Sequence, residues 1–175
     1  MKIVMLDKKT LGYDSDLSEL EKLGELVIHE TTSEEEVIDR IQDADAVIIN
    51  KVVIGKKEMD AAPMLKYIGI TATGTNNVDL AYAAQKGITV TNVKGYSTKV
   101  VAQHTFALLL SVMEQVSYYD RYIKSGEYSR GSLFTYLEKS FMELDGHIWG
   151  IIGLGEIGRE VAGLAKAFGC RVIYY

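Results

Sequence analysis

The feature that most constrains the fold is a glycine turn, Gly153-x-Gly155-x-x-Gly158, within residues 148–160. An apolar run precedes this turn, and a helical pattern of apolar residues follows it, formed by Val161, Leu164, Ala165 and Phe168. The order of strand, glycine turn and helix is typical of dinucleotide-binding units. A glycine-rich turn without a ligand is the alternative, and the flanking strand and helix favour dinucleotide binding.

Each glycine of the turn has its own expected role. Gly153 would permit the tight turn, Gly155 would let the backbone approach a pyrophosphate, and Gly158 would let the helix pack close to the strand. Free N–H groups at the start of the helix would bind phosphate. An acidic residue about twenty positions after Gly153 would favour NAD over NADP, but that position falls at Tyr174 and Tyr175 or just beyond. This position therefore does not decide between the two dinucleotides; NAD is the expected cofactor, and NADP is the alternative.

The composition is that of a globular protein and argues against several classes of partner. The 175 residues are 47% hydrophobic and 25% charged, with a net charge of −5, so disorder is not expected. No basic stripe interrupts this acidic balance, which argues against nucleic acid or an anionic membrane as a partner. The most apolar stretch, Phe106 to Met113, is far shorter than the ~18 residues of a spanning helix. With no secretory signal pattern and a single cysteine, Cys170, the expected compartment is the cytoplasm.

Strand and helix patterns alternate over roughly the first 95 residues. Alternation of this kind predicts an α/β fold with a doubly wound parallel sheet. The third apolar run has no polar residue, as expected for a strand that is buried on both faces. The five predicted strands are Lys2–Leu6, Leu26–Ile28, Ala46–Ile49, Leu65–Thr71 and Ile88–Asn92.

Helices are predicted between these strands. The first carries an apolar stripe, with Asp14 or Ser15 as its cap. The second opens with a capping box formed by Ser33 and Glu36. The stripe of the first helix is Leu17, Leu20 and Leu23, and the third and fourth helices are expected over residues 56–62 and 77–86.

The longest helix is predicted over residues 98–124. Its apolar residues lie nearly all the way round, and such a helix must be covered on every side. It is therefore expected at a domain junction or a subunit interface. The polar and aromatic residues 125–145 that follow are expected to form an arm leading to the strand at 148–152.

Two segments follow predicted strands at the same edge of the sheet. Thr71 to Asn77 follow the fourth strand, where small residues leave backbone N–H groups open to an anion such as a carboxylate. Asn50-Lys51 follow the third strand, and Lys51 could supply a cation to a substrate. From spacing alone, an ordinary strand–helix turn and a surface lysine are the more common outcomes. No histidine has a partner at metal or triad spacing, so we expect no metal site and assign the histidines no chemical role.

Five segments taken together resemble the D-isomer-specific 2-hydroxyacid dehydrogenases. They are Thr73–Asp79, Gly87–Asn92, Gly95–Thr105, Glu143–Gly146 and Gly150–Gly169. The resemblance implies a flavodoxin-like substrate domain over residues 1–97 and a linking and dimerisation helix with its arm over residues 98–147. It also implies the start of a Rossmann cofactor domain over residues 148–175. A homodimer through helix 98–124 is expected on the same basis.

The resemblance assigns roles to individual residues. The backbone N–H groups of Thr73 and Gly74 would hold the substrate carboxylate, and Asn50 and Lys51 would line the substrate side of the cleft. The pyrophosphate would be bound by Glu156 and Ile157 with the three glycines, and Val101 would approach the nicotinamide.

The substrate implied by the resemblance is a small D-2-hydroxy acid or the matching 2-keto acid. The run from Val101 to Leu108 and the segment Asn50–Val52 are most similar to the glycerate dehydrogenase (hydroxypyruvate reductase) branch. Two positions depart from the family pattern, namely Lys94, where proline is frequent, and Gln103, where glutamate is frequent.

The catalytic arginine, glutamate and histidine of the family have no match in this sequence. We therefore expect oxidoreductase activity by family but no turnover by these 175 residues alone. A non-catalytic relative that senses dinucleotide or binds proteins is the alternative. A phosphorylated receiver domain, suggested by Asp7 at the end of the first strand, is excluded because Asn50 stands where an acid would be required.

Overall fold

A computed structural model describes residues 1–175, which form two compact units, Met1–Lys94 and Gly95–Tyr175. The first unit contains a five-stranded parallel sheet in the order β2-β1-β3-β4-β5. This is the flavodoxin-like strand order, so the predicted fold class is confirmed, and each predicted strand is present within two residues of its predicted bounds. The strands are β1 Lys2–Met5, β2 Glu25–Ile28, β3 Ala46–Ile49, β4 Tyr67–Ile70 and β5 Thr89–Asn92.

The helices of the first unit are α1 Ser18–Glu21, α2 Val37–Ile41, α3 Lys56–Ala61 and α4 Leu80–Gln85, with 3₁₀ turns at Lys8–Leu11 and Glu34–Glu36. Neither Asp14 nor Ser15 caps α1, because the carboxylate of Asp16 accepts the N–H of Ser18 at 2.9 Å. The predicted capping contact before α2 is present, since Glu36 accepts the N–H of Ser33 at 2.8 Å.

The fourth helix begins later than predicted. Asp79 accepts the N–H of Tyr82 at 2.9 Å and so caps α4, because an acceptor in this position satisfies a free N–H of the first turn. Residues 77–79 therefore belong to the turn after β4 and not to the helix.

The sheet of the first unit is covered on both faces. All four residues of β3 are buried, as predicted for a strand between two apolar layers. One layer places Val37, Ile41, Ile54 and Met59 against the inward residues of β1, β3 and β4, and the other packs Leu11, Leu17 and Leu20 against Ile3, Met5 and Ile48.

The second unit combines the long-helix segment with the glycine motif. Its helices are α5 Thr98–Met113, α6 Val116–Lys124, α7 Glu127–Arg130 and α8 Glu156–Ala167, and its strands β6 Ile148–Ile151 and β7 Arg171–Tyr174 pair in parallel. The ring of Phe106 stacks on Trp149, with centroids 4.7 Å apart, and on Phe168, with centroids 5.2 Å apart. Buried Ala102 and Phe106 of α5 thus form one core with Val161 and Ala165 of α8.

The prediction of one helix over residues 98–124 is wrong. The helix breaks at Gln115, which adopts a left-handed conformation with φ of 51°. The side-chain amide of Gln115 donates a hydrogen bond to the carbonyl of Ser140 at 2.6 Å. The residue at which the helix breaks therefore also contacts the arm. This contact cannot be read from the local sequence pattern.

The arm contacts α6 through tyrosines. The ring of Tyr136 lies 4.2 Å from that of Tyr122, and its hydroxyl is hydrogen-bonded to Tyr118 and Glu138. These hydrogen bonds raise the pKa of Tyr136 well above the ordinary value for a phenol.

The end of the arm is joined to the start of β7 by a cysteine. The thiol of buried Cys170 donates to the carbonyl of Leu144. None of the helices combines the length and apolarity needed to cross a bilayer.

The close approach of α8 to the turn after β6 depends on Gly158. A Cβ at this position would overlap the carbonyl oxygen of Gly153. We expect Gly158→Ala to lower the free energy of unfolding of the second unit by about 1–3 kcal/mol, the usual cost of overpacking. Urea unfolding followed by the fluorescence of Trp149, the only tryptophan, would measure this change.

Gly163 provides the matched control for this experiment. It lies on the same helix, and a Cβ there would have no neighbour within 4 Å. Gly163→Ala should leave the stability unchanged or raise it by about 0.5–1 kcal/mol, because glycine is unfavourable inside a helix. Equal effects of the two substitutions would contradict the proposed role of Gly158.

Candidate functional site

The strand order of the first unit places β1 beside β3, where the chain reverses its direction of winding. In open α/β sheets, ligands bind at the carboxyl ends of the strands that flank such a switch point. Here β1 ends before Asp7 and β3 ends before Asn50. The predicted substrate residues Asn50 and Lys51 therefore lie at the expected edge of the sheet.

The carboxylate of Asp7 holds the backbone after β3. It accepts N–H groups from Asn50 at 2.9 Å, Lys51 at 2.6 Å and Val52 at 3.3 Å. Asp7 is 7% exposed and is the only buried charged residue of the chain. Asp7 is not among the site residues predicted from the sequence. The sequence places Asp7 just after the first strand, but only the fold shows that this strand lies beside β3.

Asn77 binds the carbonyl groups of the same segment. Its side-chain amide donates to the carbonyl of Val52 at 2.9 Å and to that of Asn50 at 3.3 Å. The backbone of Asn77 also accepts the N–H of Ile54 at 2.8 Å. The turn after β4 and the segment after β3 are thereby joined into one surface.

The turn that contains Thr73 and Gly74 is held by the end of β5. Thr73 donates its hydroxyl to the carbonyl of Val93 at 3.0 Å, and the side chain of Asn92 donates to the carbonyl of Thr73 at 2.7 Å. The N–H groups of Thr73 and Gly74 have no acceptor within the chain, and both residues are exposed. These are the two N–H groups that the sequence analysis assigned to a carboxylate.

A cavity of about 280 Å³ adjoins Lys51. Lys51 is exposed and takes part in no ion pair. Its ammonium group is therefore available to an anion. The remaining lining residues are Thr32, Glu34, Val37, Val52 and Val53.

The three histidines lie on or beside different elements. His29 follows β2, and burial lowers its pKa, with the nearby charge of Arg40 lowering it further. His104 on α5 and His147 before β6 are both exposed. No group of three or more His, Cys, Asp and Glu side chains is arranged to hold a metal ion.

In the second unit, the glycine turn presents a row of free backbone N–H groups. None of the five consecutive N–H groups from Leu154 to Gly158 donates to an acceptor in the chain. Gly153 has φ of 91°, which permits the turn, and the space beside Gly155 is open, with no atom within 4 Å of where a Cβ would stand. The guanidinium of Arg159 donates to the carbonyl of Leu154 at 2.9 Å and so holds the turn. Five free N–H groups at a helix N-terminus fit a pyrophosphate.

The other predicted cofactor residues lie in the same unit. Glu156 and Ile157 begin α8, and both are exposed. Val101 lies in the first turn of α5 and is exposed. A cavity of about 390 Å³ borders β6 and the start of α8, with Trp149, Ile152, Gly153 and Ile157 among its lining residues. Asn50, Lys51, Thr73 and Gly74 belong to the first unit, so the predicted residues form two groups, one in each unit.

Comparison with known proteins adds an independent observation. The sequence model of the D-isomer specific 2-hydroxyacid dehydrogenase catalytic domain matches residues 3–165. A hydroxypyruvate reductase of Blautia hydrogenotrophica is 38% identical over 179 aligned residues, covering 100% of this chain and 56% of the relative.

Two solved structures have a similar fold. An acyclic imino acid reductase (Bsp5) in complex with NADPH and D-Arg superposes with a TM-score of 0.81 and 30% identity, over 99% of this chain and 55% of the other. A D-lactate dehydrogenase from Aquifex aeolicus, complexed with NAD and lactic acid, has a TM-score of 0.76 and 27% identity, over 100% of this chain and 51% of the other.

The chain thus spans about half the length of the relatives that it matches. The match to the family model extends through both units and includes Asn50, Lys51, Thr73, Gly74 and the glycine turn. The chain belongs to the D-isomer specific 2-hydroxyacid dehydrogenase family.

Proposed function

We propose that this chain supplies the substrate-binding and dinucleotide-binding elements of an NAD(P)-dependent 2-hydroxyacid dehydrogenase. The observation that carries this proposal is the row of five free N–H groups from Leu154 to Gly158, beside an open space at Gly155. Backbone groups of this kind bind phosphate without a charged side chain, because they and the helix dipole together present positive charge.

The cofactor proposed for the glycine turn is NAD, with NADP as the second possibility. One structural relative holds NAD and another NADPH. When bound, the nicotinamide would supply the hydride that reduces a 2-keto group. Gly153, Gly155 and Gly158 shape the turn, Glu156 and Ile157 present their N–H groups, and Val101 offers an apolar side chain to the nicotinamide ring.

The proposed substrate is a small D-2-hydroxy acid or the matching 2-keto acid, with the pair glycerate and hydroxypyruvate as the first choice. The free N–H groups of Thr73 and Gly74 would donate hydrogen bonds to the carboxylate, and the ammonium group of Lys51 would add charge of the opposite sign. Asn50 would border the same surface. The 38% identity to a hydroxypyruvate reductase supports this choice of substrate.

Residues 1–175 would bind and orient the dinucleotide and the keto acid. None of them is assigned as the acid that protonates the product oxygen. Reduction of a keto acid requires such an acid. We therefore propose that these residues alone bind both ligands without consuming NADH. Turnover of hydroxypyruvate by the purified 175-residue chain would contradict this assignment.

We also propose that two copies associate through residues 98–124. Leu108 and Val112 lie one turn apart on α5 and are 58% and 76% exposed. Val116 at the start of α6 is also exposed. Exposed apolar side chains that lie together on one surface mark candidate interaction sites. The same surface would serve the alternative function, a dinucleotide-sensing relative that binds other proteins, and NADH binding by a whole protein without reductase activity would favour that alternative.

Gly155→Ala should weaken NADH binding without destabilising the chain. A Cβ at Gly155 meets no atom of the chain, so the substitution obstructs only a ligand that approaches the backbone. We expect the Kd for NADH, measured by its fluorescence, to rise about tenfold or more. Gly163→Ala on the same helix is the control and should leave the Kd unchanged. An unchanged Kd in Gly155→Ala would exclude the proposed pyrophosphate site.

Binding of a hydroxy acid should shift the amide signals of Thr73 and Gly74. We expect D-glycerate to move both resonances in ¹H–¹⁵N spectra, because a carboxylate would accept the two N–H groups that now have no partner. Glycerol is the matched control ligand, since it keeps the hydroxyl groups and lacks the carboxylate. Equal shifts with glycerol and glycerate would argue against a carboxylate site.

The double substitution of Leu108→Glu and Val112→Glu should convert a dimer to a monomer in sedimentation experiments, because burial of two carboxylates opposes association. Leu23→Glu is the control, since Leu23 is equally exposed at 58% and lies in the first unit. A dimer that survives the double substitution would place the interface elsewhere.

A further inference from the structure

We propose that Asp7 is a positioning residue for the hydroxy acid, acting through the segment Asn50–Val52. This inference rests on the proposed function, because it assigns to Asp7 the placement of the segment that carries Lys51. Asp7 would not touch the substrate. Its carboxylate would fix the backbone from which the side chains of Asn50 and Lys51 extend.

The hydrogen bonds of Asp7 support this role. A buried carboxylate is unfavourable unless its charge is compensated. No lysine or arginine forms an ion pair with Asp7, and its partners at the carboxyl edge are the N–H groups of Asn50, Lys51 and Val52. Successive N–H groups that surround one anion form a nest. The backbone of this segment is therefore shaped around the carboxylate.

The carbonyl groups of the same segment are held as well. Asn77 donates to the carbonyls of Asn50 and Val52, while Asp7 accepts the N–H groups of the same two residues. A rotation of the peptide groups would break bonds to both side chains. Since Asn77 lies in the same turn after β4 as Thr73 and Gly74, its hydrogen bonds connect the two proposed substrate segments.

Asp45 shows what a purely structural acid does in this sheet. It precedes β3 and accepts the N–H of Lys2 in β1 at 2.7 Å. Asp7 and Asp45 thus join the same two strands, Asp7 at the carboxyl edge and Asp45 at the amino edge. Loss of either carboxylate should affect stability, but only Asp7 holds residues that are proposed to face the substrate.

The test compares Asp7→Asn with Asp45→Asn in the 175-residue chain. For Asp7→Asn we expect the Kd for D-glycerate, from ¹H–¹⁵N titration, to rise about tenfold. The amide lacks the negative charge and one of the two oxygens that now accept the N–H of Asn50, and hydrogen bonds to a charged group are the stronger ones. The Kd for NADH should stay unchanged. Hydrogen exchange at Asn50, Lys51 and Val52 should become faster. Asp45→Asn should lower Tm while leaving the Kd for D-glycerate unchanged.

Each outcome separates this inference from the proposed function. If the unsubstituted chain does not bind D-glycerate, the proposed function is wrong, and the inference is overturned with it. If the unsubstituted chain binds D-glycerate and both variants bind it with the same Kd as the unsubstituted chain, the proposed function stands and Asp7 has only a structural role. Should Asp7→Asn fail to fold, Asn77→Ala is the second variant, because it removes the hydrogen bonds to the carbonyl groups of the same segment. The same selective loss of glycerate affinity is expected. Unchanged affinity in Asn77→Ala would overturn the proposal.

Discussion

Backbone N–H groups at the carboxyl ends of the parallel strands connect the supporting contacts of this structure with its candidate ligand sites. Parallel strands all end at the same edge of the sheet. The turns that follow them contain backbone N–H groups that have no acceptor within the sheet. After β3 these groups are taken by the carboxylate of Asp7. After β4 and β6 they remain free, at Thr73-Gly74 and at residues 154–158. N–H groups that are hydrogen-bonded within the chain hold the structure together, and N–H groups without an acceptor are the candidate ligand sites.

The glycine turn depends equally on the packing beneath it. Phe106 of α5 lies against Trp149 of β6 and Phe168 at the end of α8, so one ring joins both elements that flank the turn. Stacked aromatic rings of this kind contribute about 0.5–1.5 kcal/mol beyond the area that they bury. The position of the α8 N-terminus thus follows from the core of the second unit, and α5 belongs to that core although it precedes the glycine motif by some forty residues of sequence.

Features carried by local patterns could be predicted from the sequence. The five strands of the first sheet and the glycine turn each depend on a short run of residues, and the structure contains all of them. Features that depend on distant partners could not. Gln115 interrupts the long helix while its side chain binds Ser140, 25 residues away. Asp7 acquires its role because β1 lies beside β3, which brings it to a segment 43 residues away.

The glycine turn offers phosphate no side chain, only peptide N–H groups held in a particular shape. Every amino acid except proline carries such a group. Replacing the side chains between the glycines, among them Leu154, Glu156 and Ile157, would therefore leave the row of N–H groups in place as long as the main chain keeps its path. That path depends on two of the glycines, because Gly153 has a positive φ and Gly158 has no room for a Cβ.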